Sequence, residues 1–416
     1  MNNEMRDKWI IFAASFFRSI SIGMIGVLLA IYLTKVGLTK VQIGFVVSVG
    51  LIGATFGTLL VTYLGDFVGR RNTLIIYALL SAIGGVTVCL STDFYAILVA
   101  AFLGMMNARG KDRGAALVME SAILPSLDEN KNRTTVFALY YIIQDLGLGV
   151  GAFLAGLPTL LSLYFNFPDL FAFQFSFGIY ALLMLLCAGL YWVLSNTSEI
   201  SVKAIKVPFS AKGKKIVTRF SFLYGIDGLA GGFLTKTLLA FYFYERFGVN
   251  VEALGILFLI AHCLNAVSHL VSSWVAKLIG LVNTMVFTHS ISHIFLVLIA
   301  FAPTFPLAVT FYLLRESLSK MEGPTKRSYM MGVIEPEDRT RVNGITSMIR
   351  MLGWAVAPTF AGFIMQEVSL ASPLFIGAGM KLLYDILIFI SFKKIRPPEE
   401  EHRVSQTSLS PDIRSA

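Results

Sequence analysis

The stretch that decides the fold reads Tyr63-Leu64-Gly65-Asp66-Phe67-Val68-Gly69-Arg70-Arg71-Asn72, a charged turn between two apolar segments. Residues 41–64 before it and 73–90 after it contain no acidic or basic side chain. About 20 apolar residues are enough to cross the hydrocarbon core of a bilayer. We therefore interpret this stretch as a tight loop at a membrane face, with Gly65 and Gly69 supplying positive φ angles for the reversal.

Composition agrees with a membrane protein. Of the 416 residues, 56% are hydrophobic and 14% are charged, whereas soluble domains carry about 25% charged residues. The net charge is +9, but the Lys and Arg are not clustered on an amphipathic face or in an Arg-rich run. Membrane lipids, and not nucleic acid, are therefore the expected partners of the basic residues.

Hydropathy predicts twelve spans separated by short polar segments. They lie at 9–33, 41–64, 73–90, 94–122, 135–157, 171–194, 217–243, 251–275, 284–302, 305–331, 343–365 and 372–392. The long hydrophilic segment between the sixth and seventh spans divides the chain in two. We expect a bundle at 1–194, a cytoplasmic linker at 195–216, a second bundle at 217–392, and a disordered cytoplasmic tail at 393–416.

Basic residues favour one orientation. With twelve spans both termini lie on one side, and the loops of that side carry most Lys and Arg, including five lysines within 195–216. The opposite loops contain Lys35, Lys40 and Arg246 as their basic residues. The positive-inside rule then predicts cytoplasmic termini, in a protein of the plasma membrane.

The two halves of the sequence repeat. A shift of 211 residues places Gly69 on Gly280 and Pro125 on Pro336. After a shorter loop, a shift of 206 places Arg133 on Arg339. A parallel duplication of six spans is typical of transporters whose solute site lies between the halves, near the middle of the membrane.

The turn and the duplication together resemble the major facilitator superfamily. The loop between helices 2 and 3 of that family has the pattern G-x-x-x-D-[RK]-x-G-[RK]-[RK]. This chain keeps Asp66, Gly69 and the two arginines, with Thr62 and Phe67 as departures. The resemblance covers essentially the whole folded chain. It implies an all-α integral membrane protein, with twelve transmembrane helices in two pseudo-symmetric six-helix bundles.

The resemblance also implies a conformational latch. In the family this loop holds the two halves together in the outward-open state, which would place Asp66 at the start of helix 11. Glu120 resembles the acidic residue that partners the cytoplasmic loops, and Arg133 is its expected partner. The alternative is that the arginines only set topology. The expected latch residues are Gly65, Asp66, Gly69, Arg70, Arg71, Glu120 and Arg133.

Several charges fall near the middle of the predicted spans, given a rise of about 1.5 Å per residue. They are Arg18, Asp145, Asp227, Arg315 and Arg350. A charge there costs at least about 2.5–3.5 kcal/mol, so we predict two buried pairs, Arg18–Asp145 and Asp227–Arg350. Both pairs could be structural, or one carboxylate could exchange a proton or meet the solute. Asp145 and Asp227 are the candidates for proton coupling.

Charges in predicted helices 4, 10 and 12 complete the candidate pathway. Arg109 matches the arginine of the family's helix-4 motif, to which proton transfer or solute contact is ascribed. Asp112 and Arg113 follow it and could line the cytoplasmic mouth of a cavity. Two further i,i+4 pairs are predicted to be salt bridges, Glu316–Lys320 and Lys381–Asp385.

Histidines occur in two intrahelical pairs, His262 with His269 and His289 with His293. Such pairs can bind a metal ion, but along the sequence no carboxylate or cysteine neighbours them at ligand spacing. We therefore expect core histidines with satisfied hydrogen bonds, and no metal site.

The sequence favours a secondary transporter of a small solute, working by alternating access and coupled to protons. Export of an organic or drug-like compound is slightly favoured, because Gly147, Gly149 and Gly151 resemble the glycine-rich helix-5 motif of antiporters. No nucleotide-binding or nucleophile motif occurs, so no enzyme activity and no cofactor are expected. A monomer is expected. The alternatives are an uncoupled facilitator, and a receptor or scaffold that transports nothing.

Overall fold

The structure is a computed structural model that describes residues 3–106, 114–124, 133–195, 211–322, 325–326, 329 and 339–392. These residues are overwhelmingly helical. The helices are α1 Asn3–Lys35, α2 Lys40–Val68, α3 Arg70–Leu90, α4 Phe94–Leu103, α5 Ala115–Ile123, α6 Arg133–Leu154, α7 Leu157–Phe165, α8 Asp169–Trp192, α9 Ala211–Phe233, α10 Lys236–Phe247, α11 Val251–Ile279, α12 Leu281–Phe301, α13 Phe305–Ser319, α14 Arg339–Glu367 and α15 Ser372–Phe392.

The helices follow the spans predicted from hydropathy. Within the described ranges, nine helices are long and apolar enough to cross a membrane, and α4 is a shorter apolar helix. Each of the twelve predicted spans contains at least one helix. The prediction of an all-α membrane protein is therefore confirmed.

The turn at residues 63–72 is tighter than expected. Gly65 lies inside α2, which continues to Val68, and α3 begins at Arg70. The expectation of a positive φ at Gly65 was wrong, because Gly69 alone, with φ 90°, reverses the chain. Gly280, its counterpart in the repeat, joins α11 to α12 with φ 86°. A positive φ suits glycine, which has no Cβ. The two glycines that correspond in the sequence repeat therefore adopt the same backbone conformation.

Two predicted spans are interrupted. The fourth ends its first helix at Leu103 and resumes at Ala115, and Met105 has φ 47°. In the seventh, α9 ends at Phe233 and α10 starts after Thr235, whose hydroxyl accepts from the Leu238 N–H. Irregular backbone at membrane depth is tolerated where it is buried in protein or lines a cavity.

The chain forms two compact units. Unit 1 comprises residues 1–204, 229–263 and 351–377, and unit 2 comprises 205–228, 264–350 and 378–416. In unit 1, α1 packs against α6, α8 and α10, and α3 packs against α8. In unit 2, α12 packs against α13, and an apolar core includes Phe220, Met285 and Tyr384.

Within unit 2, α9 and α14 approach each other closely at Gly228. A Cβ built on Gly228 would lie 2.4 Å from the backbone oxygen of Arg350. Small residues allow such close contact between transmembrane helices. The contact brings Asp227, the neighbour of Gly228, alongside Arg350.

Gly228→Ala is expected to push α9 away from α14 and to destabilise the protein by about 1–3 kcal/mol, the range for overpacking a tight site. Gly225→Ala is the matched control, because it lies one turn earlier and its new Cβ would meet only an Ile349 methyl, at 3.6 Å. Thermal unfolding of the purified variants measures the difference. Equal stability of the two variants would contradict the close approach.

Candidate functional site

A buried arginine–carboxylate pair lies in unit 1, between α1 and α5. Arg18 Nη1 donates to Glu120 Oε1 at 2.8 Å, and Arg18 Nη2 donates to Glu120 Oε2 at 2.6 Å. The hydroxyls of Tyr140 and Tyr191 also donate to this carboxylate. Because Glu120 is fully buried, the bidentate pair and the two phenols replace the water that the charges lose.

The sequence argument did not assign Glu120 to Arg18. Residue counts from the predicted helix starts put Asp145 at a depth in the membrane similar to that of Arg18. Asp145 is buried on α6. Depth does not identify the partner, so the pairing of Arg18 with Asp145 stays a prediction. The side chain of Arg133, the expected partner of Glu120, lies outside the described residues. A signal was present in the sequence, since Glu120 is the one acid in the apolar stretch 115–124.

A larger group of charges, which we call the Asp227 cluster, surrounds that carboxylate in unit 2. Arg350 Nε lies 2.7 Å from Asp227 Oδ2, which confirms the predicted pair. Lys381 contacts Asp227 Oδ1, and the Lys326 ammonium lies 3.5 Å from Oδ2. Asp227 is fully buried, and three cations therefore stabilise its negative charge.

A second carboxylate belongs to the Asp227 cluster. Glu322 Oε1 lies 2.9 Å from the Lys326 ammonium and accepts from the Tyr384 hydroxyl at 3.0 Å. The Lys326 ammonium also lies 4.1 Å from the ring centre of Tyr224 and 4.6 Å from that of Tyr384. Cation–π contact with two rings adds to the stabilisation of this buried lysine.

The Asp227 cluster contains contacts that the sequence analysis did not predict. Lys381 and Asp385 were predicted to pair within one helix, but Lys381 binds Asp227 and Asp385 lies beside His289. That prediction was wrong, because helix spacing allows i,i+4 contacts without excluding better partners on other helices. Glu322 and Lys326 were also missed, since they follow α13 in a polar part of the sequence.

A smaller network surrounds Glu316 at the end of α13. Arg315 Nη1 donates to Glu316 Oε1, and Asn265 on α11 donates to Oε2 at 3.1 Å. Lys320 lies 3.5 Å from the same carboxylate, which confirms the predicted i,i+4 pair. Arg315 is therefore held within unit 2 by its own neighbour.

The described latch residues make contacts inside unit 1. Arg71 donates to the backbone oxygen of Trp192, and its guanidinium lies 5.7 Å from the Trp192 ring centre. A cation suits this place, because Trp192 ends α8 and the helix dipole is negative there. Arg70 is buried. Outside the described residues lie Arg109, Asp112, Arg113 and the side chains of Asp66 and Arg133.

The histidines also differ from expectation. A carboxylate does neighbour the pair on α12, because Asp385 on α15 lies 2.7 Å from His289 Nδ1 and 3.8 Å from His293 Nε2. The argument against a metal ligand set was wrong, since it considered only neighbours along the sequence. His262 on α11 contacts the Lys236 ammonium, and the side chain of His269 is not described.

Apolar spanning helices that bury networks of paired charges define a polytopic membrane transporter. The model of the Major Facilitator Superfamily matches residues 11–319. The chain belongs to that superfamily, and the repeat of single-glycine turns at Gly69 and Gly280 fits its duplicated fold. It is an integral membrane protein and a transporter of some solute, not an enzyme.

One curated relative and two solved structures are similar to this chain over more than nine-tenths of its length. The uncharacterised membrane protein YJR124C of Saccharomyces cerevisiae is 22% identical over 93% of this chain and 94% of its own. The solved nucleoside transporter NupG superposes with a TM-score of 0.76 at 14% identity, covering 93% of this chain and all of that one. A D-xylose–proton symporter superposes with a TM-score of 0.73 at 14% identity, over 92% and 97% of the two chains.

Glu120→Gln is expected to lower the free energy of unfolding by about 3–5 kcal/mol, because it removes the charge of the carboxylate that binds the buried Arg18 guanidinium through both oxygens. Asp169→Asn serves as control, since Asp169 is 70% exposed in its 3.0 Å pair with Lys35, and exposed pairs contribute about 0–1 kcal/mol. Chemical denaturation in detergent would measure both. A loss below about 1 kcal/mol for Glu120→Gln would count against the buried pair.

Proposed function

We propose that this protein is a proton-coupled secondary transporter that moves a small organic or drug-like solute by alternating access, with export favoured over uptake. The observation that carries the proposal is Asp227, a fully buried carboxylate inside an apolar chain, held by Arg350, Lys381 and Lys326. Ionisable residues within transmembrane segments commonly mark proton relays and solute pathways.

Coupling follows from the charge balance of the Asp227 cluster. When a proton neutralises Asp227, three buried cations lose part of their compensation. They then need another anionic or polar partner, which the solute or a rearranged helix can supply. Competition between a proton and other partners for one carboxylate is a direct physical route to coupled transport. A solute with a negative or strongly polar group fits this arrangement.

The remaining charged positions complete the proposed pathway. We assign to it Arg18 and Asp145 in unit 1, Arg315 and Arg350 in unit 2, and Arg109, Asp112 and Arg113 in the predicted fourth span. The structural neighbours include a nucleoside transporter and a D-xylose–proton symporter. They suggest nucleosides and sugars as the first solutes to test beside drug-like compounds.

The cellular setting belongs to the same proposal. The excess of Lys and Arg in alternate loops supports cytoplasmic termini. We propose a monomer in the plasma membrane, whose loop arginines contact anionic lipid headgroups.

Asp227→Asn should abolish proton movement, because the amide cannot carry the proton. It also removes the negative charge that Arg350, Lys381 and Lys326 share, so thermal unfolding of the variant is measured first and transport is compared for folded protein only. A thermal-shift screen with nucleosides, sugars, organic anions and drug-like cations first identifies a ligand. Proteoliposomes containing a pH-sensitive dye then report proton movement when that ligand is added. Ligand flux without proton movement in the native protein would indicate an uncoupled facilitator, and no flux would indicate a scaffold. Glu245→Gln, the same carboxylate-to-amide change at an exposed residue of α10, is the control.

Asp66→Asn tests the proposed latch. If Asp66 holds one conformational state, its amide variant should transport at least about tenfold more slowly, which corresponds to about 1.4 kcal/mol, while membrane insertion is unchanged. Asn72→Ala, on the exposed start of α3, should transport normally. Normal transport by Asp66→Asn would leave the loop with a role in topology alone.

A further inference from the structure

A cluster of metal-ligating side chains lies in unit 2, between α12 and α15. We call it the histidine site, and its members are His289, His293 and Asp385. One donor atom from each lies within 4.8 Å of those of the other two. The two histidines are one helical turn apart on the same face of α12, and all three residues are buried.

Within the part of the chain that the structure describes, neither ring nitrogen of His293 has a hydrogen-bond partner. Its side chain is fully buried, and its Nε2 faces Asp385 Oδ2 at 3.8 Å, beyond hydrogen-bonding distance. A neutral imidazole has one N–H that needs an acceptor and one bare nitrogen that needs a donor or a metal ion. Burying such a group with neither is costly, and it calls for a ligand.

Asp385 needs a cation. Among the described residues, its partners are His289, His293 and the Ser290 hydroxyl, which donates to Oδ2 at 3.0 Å. Neither Lys nor Arg in that part of the chain forms an ion pair with it. The nearby Lys381 is taken by Asp227. A buried carboxylate with imidazoles as its neighbours is therefore compensated only by a proton or by a metal ion.

From these observations we propose that His289, His293 and Asp385 bind a divalent transition-metal ion, with Zn²⁺ as the best match. His289 would bind through Nδ1, His293 through one of its unpartnered nitrogens, and Asp385 through a carboxylate oxygen. A single proton between His289 and Asp385 would satisfy those two groups and leave both nitrogens of His293 without a partner. A metal ion bonds to all three side chains and leaves one N–H of His293 without a hydrogen-bond partner among the described residues.

The geometry suits a transition metal. Zn²⁺ forms bonds of about 2.0–2.1 Å to imidazole, so that tetrahedral donors lie about 3.4 Å apart. The separations of 2.7 Å and 3.8 Å between Asp385 and the two histidines bracket that spacing. Two nitrogen donors also favour zinc, cobalt or nickel over magnesium or calcium, which prefer oxygen.

Surrounding residues already orient the ligands. His289 Nε2 lies 3.3 Å from Glu322 Oε2, which would accept the N–H of this ring while Nδ1 binds the metal. Ser290 fixes the second oxygen of Asp385. Such outer partners set the tautomer of a ligating histidine, and their loss commonly weakens metal binding about 10–100-fold.

Metal binding to the full-length protein, purified in detergent and stripped with EDTA, tests the proposal. Equilibrium dialysis against zinc sulfate followed by elemental analysis should find one zinc per chain. Cobalt chloride should produce a visible absorption band of bound cobalt that is absent in His293→Leu. His293→Leu and Asp385→Asn should each bind zinc at least tenfold more weakly, whereas Thr288→Ala, a control on the same helix, should bind as the native protein does.

The thermal unfolding midpoint measured without metal shows whether each variant is folded. His293→Leu removes two unpartnered buried nitrogens, so its midpoint in EDTA should equal or exceed that of the native protein, while the rise caused by zinc should disappear. Less than 0.2 zinc per native chain, equal zinc binding by His293→Leu, or equal binding of magnesium would overturn the proposal. None of these readouts requires transport, so a failure of the proposed transport function leaves this test unaffected.

Discussion

The structure depends on keeping charges inside an apolar protein paired. Asp227 is the clearest case, because Arg350, Lys381 and Lys326 all contact one buried carboxylate. Removing one member strands the others, since the desolvation of a buried ion is repaid only by its partners. The packing of the helices makes this pairing of buried charges possible. The close approach of α9 to α14 at Gly228 is the contact that lets Asp227 and Arg350 meet.

The two units meet this requirement in different ways. In unit 1, a bidentate pair between Arg18 and Glu120 is completed by two tyrosine hydroxyls. In unit 2, an extended network joins several helices and includes two lysines. A network that places several cations around one carboxylate can redistribute charge when one member changes its protonation. This property favours unit 2 as the place of the proposed proton coupling.

Interrupted helices accompany these charges. The fourth span breaks after Leu103 and the seventh breaks at residues 234–235. Free backbone groups at a break can bind a solute or an ion, as discontinuous helices do in many transporters. Gly104 favours the first break, while Gly231, Gly232 and the capping residue Thr235 favour the second. Hydropathy did not reveal the break in the seventh span, whereas the charged residues 109–113 of the fourth span were a visible signal.

The sequence by itself determined the class of the fold, because hydropathy, the D-x-x-G-R-R turn and the 211-residue repeat all depend on local pattern. It also determined the Asp227–Arg350 pair, since depth, opposite charge and the repeat coincide there. Only the tertiary structure decided that Arg18 meets Glu120, that Lys381 meets Asp227, and that Asp385 meets His289. These contacts join helices far apart in the chain. Helical periodicity gives the depth of a side chain, but packing gives the neighbour that it faces.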